Sequence, residues 1–107
     1  MVRSKPDTYI GFCIKAGKIS LGAGAIDMLR GGVYLLIADK NCAKNSKRLA
    51  LKFKNRFGCP LVLCNENFEV KVNKPGCKLA AIRDRELAKA ILENLDQSYE
   101  LYAGGSL

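Results

Sequence analysis

The sequence predicts an α/β fold: a three-layer α/β/α sandwich around a small sheet of about four strands. Three observations predict it. Short apolar runs over 33–38, 61–64 and 77–82 alternate with stretches of helical period. The first two are apolar at every position rather than at alternate ones, so both faces of the sheet must be covered. At 107 residues with 49% hydrophobic content, the chain can bury a core without disulfide or metal staples.

The first helix is expected over 7–16. Ile10, Cys13 and Ile14 recur at i, i+3 and i+4, with Tyr9 and Phe12 beside them. Pro6 suits the helix start, Ser4 is a candidate N-cap and Gly17 a candidate terminator. Ile19–Leu21 is a short extended link or an edge strand. The second helix should open near Gly22, stop at Gly31-Gly32, and turn Ala25, Ile26 and Leu29 inward, with Asp27 and Arg30 pairing outside. Val33–Ala38 is the central strand. The third helix runs from about Ala43 to Phe57, with Leu49, Ala50, Phe53 and Phe57 on one face and Lys44, Arg48 and Lys52 on another. Gly58 ends it, Cys59-Pro60 extends the chain, and Leu61–Cys64 is a second strand. Residues 68–73 alternate apolar and polar and fit either a short helix or a strand. Lys74-Pro75-Gly76 is a turn, Cys77–Ile82 a third strand, and Asp84 caps a last helix over Arg85–Leu95. This makes one domain over 1–97, followed by a tail, 98–107, expected to fray.

The formal net charge is +8, and it is segregated. Residues 1–56 hold 12 Lys/Arg against three Asp/Glu, whereas residues 57–107 hold six against seven. A positive half suggests a polyanionic partner, and the plain alternative is a solvated surface. The chain has no histidine, which excludes Ser-His and Cys-His nucleophile pairs, and Asp39 is better read as a turn or cap residue than as a ligand. Five cysteines without a Cys-x-x-Cys pair argue against structural zinc and fit free thiols in a reducing cytoplasm. The start of the chain lacks the apolar core of a signal peptide and no run is long enough to span a membrane, so a cytoplasmic protein with no membrane partner is expected. No cofactor is called for. Gly22-Ala23-Gly24-Ala25 lacks the third glycine of a dinucleotide loop, because Asp27 stands there. Gly24 could instead serve tight helix packing, or let a ligand approach the backbone.

These blocks in this order resemble the L-seven-Ae/L-thirty-e superfamily of ribosomal and kink-turn RNA-binding proteins, and within it the small bacterial YlxQ-type ribosomal-protein-like members. The likeness covers residues 8–95. Its carriers are Ala16-Gly17-Lys18, the Gly22 helix start, Tyr34-Leu-Leu-Ile-Ala-Asp39, Asn45-Ser46-Lys47-Arg48, Cys59-Pro60-Leu-Val, Lys74–Ile82 and Leu87–Ile91. The resemblance implies a mixed sheet, no enzymatic activity, and RNA (rRNA or another structured RNA) as the partner, with the ribosome as one setting. It implies three contact segments. The helix start contributes Gly22, Ala23, Gly24 and Ala25, with Lys18 just before it. The loop after the central strand contributes Lys40, Asn41, Lys44 and Lys47. The segment before the last strand contributes Val70, Lys71, Asn73 and Lys74, with Val72 beside them and Glu69 as an acidic neighbour. Kink-turn binders of the family show Gly-x-Asn-Glu-x-x-Lys or Gly-x-Lys-Gln-x-x-Lys at the helix start, where this chain has Gly24, Ala25 and Met28 in place of the polar residues. A protein-interaction module on the same fold, with the RNA readout lost, is the alternative.

Overall fold

Apolar residues that alternate in facing along each strand force helices onto both sides of a sheet. The computed structural model, which describes residues 4–105 and Leu107, has that arrangement. The elements in order are α1 (Lys5–Ala16), β1 (Ile19–Leu21), α2 (Ala23–Asp27), β2 (Leu35–Asp39), α3 (Lys44–Phe57), β3 (Leu61–Cys64), α4 (Phe68–Lys71), β4 (Leu79–Ile82), α5 (Arg85–Glu93) and β5 (Tyr99–Leu101). One mixed sheet runs β1-β4-β2-β3-β5. Only β2 and β3 are parallel; β1–β4, β2–β4 and β3–β5 are antiparallel.

The register divides the core in two. Leu35 and Ile37 face α1 and α5, meeting Ile10, Cys13, Ala88 and Ile91. Leu36 and Ala38 face α2 and α3, meeting Ile26, Ala50 and Phe53. Phe53 is 1% exposed, and burying a side chain of that size contributes about 2–3 kcal/mol. The helix ends follow local chemistry. The Asp7 backbone N–H donates to Ser4 Oγ at 3.3 Å. Gly17 closes α1 at φ 67°, a conformation a side chain resists. The Leu87 N–H donates to Asp84 Oδ1 at 2.9 Å at the start of α5.

Several expectations are corrected. The sheet has five strands among the described residues, not four, because 99–101 pairs with β3 in the register Val62↔Leu101, Leu63↔Glu100 and Cys64↔Tyr99. Those residues are therefore held by the sheet rather than frayed. Residues 68–71 are a short helix, which settles the choice between helix and strand. Helix α2 stops at Asp27, four residues before Gly31. It buries Ile26 alone, and Ala25 faces out. Asp27 pairs with Arg56 at 2.7 Å instead of Arg30, and the same guanidinium accepts no proton but donates to the Asp27 and Leu29 carbonyls, capping the end of α2. Ile14 is 40% exposed, since the inward face of α1 runs through Pro6, Asp7, Ile10 and Cys13.

Candidate nucleic-acid interface

The sheet's own pairing decides which segments can cooperate. Strand β1 runs antiparallel to β4, and β4 antiparallel to β2, so the end of β1, the start of β4 and the end of β2 share one end of the sheet. The Gly22 N–H donates to the Leu79 carbonyl at 2.9 Å, and the Asp39 N–H donates to the Lys78 carbonyl at 2.9 Å. The start of α2, the β2–α3 turn and the α4–β4 turn are thereby neighbours, which brings Gly22, Ala23, Gly24, Lys40, Asn41, Lys44, Lys47 and Lys74 to one end.

Two expected members do not fit. Lys18 precedes β1 and so lies at the opposite end, where its carbonyl accepts the Arg83 N–H at 2.8 Å; four extended residues, about 13 Å, separate it from Gly22. Lys71 is on α4, but its side chain is only 16% exposed and its ammonium is bound to Asp7 at 2.9 Å and to Glu66. It also lies 5.4 Å from the Tyr99 ring centroid. Burial pulls the Lys71 pKa down, and the Glu66 and Asp7 carboxylates outweigh this and raise it overall. It is an internal cation, not a free phosphate ligand. Val72 is buried in the core, so only Val70, 72% exposed, offers an apolar surface on this segment. Asn73 carries the turn at φ 52°, a conformation asparagine tolerates.

Asp39 builds the site from beneath. It is 3% exposed, and its Oδ1 accepts the Asn41 N–H at 2.8 Å, which folds the β2–α3 turn. Its Oδ2 accepts the Phe68 N–H at 3.1 Å, which fixes the start of α4. Lys78 Nζ stands 3.8 Å from Asp39 and 3.3 Å from Glu69. Glu69 also accepts the Gly76 N–H at 3.1 Å, so the acid that opposed RNA in this segment is used to close the turn. Asp39 and Lys78 are the positioning residues that sequence reasoning missed as site members; the Asp at the end of an apolar run, followed by two polar residues, was the available signal.

The charge balance at this end is specific. Lys40 pairs with Glu100 at 2.7 Å, both side chains about half exposed, so the pair is worth little and is open to competition. Lys44, Lys47 and Lys74 have no ion-pair partner among the described residues. Helix α3 begins at Lys44 behind Ala43, which has no side chain able to cap it. Helix α2 is only five residues long, so its dipole gives a much weaker anion site than a long helix would. Gly22 needs its φ of 91°, whereas Gly24 is exposed and a Cβ there would meet nothing within 4 Å. Helix packing therefore does not explain Gly24.

All five thiols are buried, and burial pushes Cys13 up to about 11 and the other four in the same direction. No cluster of metal-ligating side chains occurs among the described residues, and no described helix is long and apolar enough to cross a membrane. No protein-family model matches the chain, and no curated protein matches it.

Proposed function

We propose that the protein is a non-enzymatic RNA-binding protein of the cytoplasm, ribosomal-protein-like, that holds structured RNA at the lysine-rich end of its sheet. One observation carries this reading. Lys44 and Lys47 at the start of α3 and Lys74 in the α4–β4 turn lie at one end of the sheet without ion-pair partners among the described residues, while the acids at that end are each engaged. Charges of this kind hold phosphates, and Asn41 and Asn45 beside them supply amides that reach bases or riboses. Gly24, Ala25 and Met28 stand where the family's kink-turn binders carry polar side chains, so recognition here would rest on phosphates and backbone approach rather than on base edges.

Binding of RNA should weaken steeply with salt. Three neutralised phosphates give a slope of log K against log salt of about −2 to −3. Reversing Lys40, Lys44 and Lys47 to Glu together should lower affinity at least tenfold, about 1.4 kcal/mol or more, while Glu86→Lys with Glu93→Lys on α5 should not. A flat salt response, or equal loss in both sets, overturns the reading. The protein-interaction alternative is favoured by exposed Met28 (84%) and Val70 (72%). Pull-down from lysate with and without ribonuclease separates the two: partners lost on digestion support RNA, and partners retained support the alternative.

A further inference from the structure

We infer that the outward face of α3 is a track for the phosphate backbone of double-helical RNA, continuing away from the lysine-rich sheet end; this rests on the RNA-binding reading above. Helix α3 carries Lys44, Lys47, Arg48, Lys52, Lys54 and Arg56 and no acid. Lys44, Arg48 and Lys52 are exposed and four residues apart, so they form one row about 12 Å long. None has an ion-pair partner among the described residues. For the free protein this arrangement is unfavourable twice over. Like charges at i,i+4 repel, and a lysine at the helix start opposes the dipole. Arg56, next in the row, is spent differently, on Asp27 and the carbonyl end of α2.

The neighbours of the row choose the partner. The other exposed positions of α3 are Asn45 and Asn55, and none of the molecule's exposed large apolar residues is on this helix, which disfavours a membrane surface. Phe53 and Phe57 face the core and stack under Arg56, so no aromatic is presented to an unpaired base. A straight line of point charges fits a regular phosphate backbone, read by shape and without sequence.

The test is a single substitution, Arg48→Glu, which places a carboxylate four residues from both Lys44 and Lys52. The probes are an RNA duplex of about 20 base pairs of arbitrary sequence, titrated at several salt concentrations, and vesicles containing phosphatidylserine. Duplex affinity should fall about tenfold and the salt slope should become shallower by about 1. The Tm of the free protein should rise by about 2–5 °C, because repulsive pairs become attractive ones. Lys89→Glu, the same charge change on exposed α5, should leave duplex affinity within about twofold. The track is overturned if Arg48→Glu binds the duplex as the unaltered protein does, if Lys89→Glu loses as much, or if vesicles bind and the duplex does not. Loss in the Lys40/Lys44/Lys47 reversal with none in Arg48→Glu overturns the track alone; absence of any RNA binding by the unaltered protein at about 50 mM salt overturns both readings.

Discussion

Asp39 is one side chain on which two turns depend. Buried at the end of β2, it accepts one N–H from the turn that follows and one from the start of α4, 29 residues away. Truncation to Ala would leave the buried Phe68 N–H without its acceptor, a loss of about 2–3 kcal/mol. We expect Asp39→Ala to lower the urea midpoint accordingly and to weaken RNA binding alongside, although residue 39 would touch no phosphate. Unchanged affinity in a folded Asp39→Ala protein would show that the two turns keep their shape without it. A turn or cap role for Asp39 was legible from the sequence, since an aspartate closing an apolar run has few other uses. Its second hydrogen bond was not, because nothing local pairs residue 39 with residue 68. The same blindness applies to Lys71. A lysine next to Val70 and Val72 reads as exposed until the fold brings Asp7 and Glu66 to it.

At the scale of elements, local chemistry wrote the ends of α1, α3 and α5 plainly. Ser4, Gly17, Gly58 and Asp84 do what their types allow, with Gly17 and Gly58 at φ 67° and 61°. The edges of the sheet were harder. Strand β5 is three residues flanked by Asp-Gln-Ser and Tyr-Ala-Gly-Gly, and only its partner β3 makes it a strand. Lys18 was misplaced because adjacency in sequence hides direction: β1 carries the chain from one end of the sheet to the other. Helix α2 offers a test of its own. Gly24 lies in its first turn with space for a Cβ and with no positive φ to protect. Gly24→Ala should therefore stabilise the protein by about 0.5–1 kcal/mol in urea titration. If RNA approaches this backbone, the same substitution should weaken binding several-fold. A stabilised variant with unchanged affinity would remove α2 from the interface.

At the scale of the whole molecule, a buried polar cluster joins the two ends of the fold. The Tyr99 hydroxyl on β5 donates to Asp7 Oδ1 at 2.5 Å, and Lys71 reaches the other Asp7 oxygen. Burial is the largest influence on Asp7 and pushes its carboxyl up, but the hydrogen bonds from Tyr99, Lys71 and Ser4 and the Lys71 charge outweigh it, leaving a net shift below the ordinary 3.8. The contribution of Asp7 to stability is thus present above pH 3.8 and is lost as pH falls through its lower folded value. Burial first, and the bond to Asp7 second, hold the Tyr99 phenol above its ordinary 10.0, and Lys71 is held above 10.5. Their contributions are present below those values and fade as pH climbs past them. Thermal melts across pH should show a plateau bounded on both sides. In Tyr99→Phe we expect a Tm several degrees lower at neutral pH, from the loss of about 1 kcal/mol or more, and an acid limb displaced upward. An acid limb that stays in place would mean that other carboxylates set it.

The reach of that contact, 92 residues along the chain, also has a meaning for how the protein is made. During synthesis Asp7 leaves the ribosome with α1, and its phenol partner follows only after α5 has been translated. Until then β3 has one bare flank and α1 lacks the bond that fastens it to the far edge. Helices and the inner strand pairs can gather as they emerge, but closure waits for β5, so a chain stalled before residue 99 would hold its parts without their clasp.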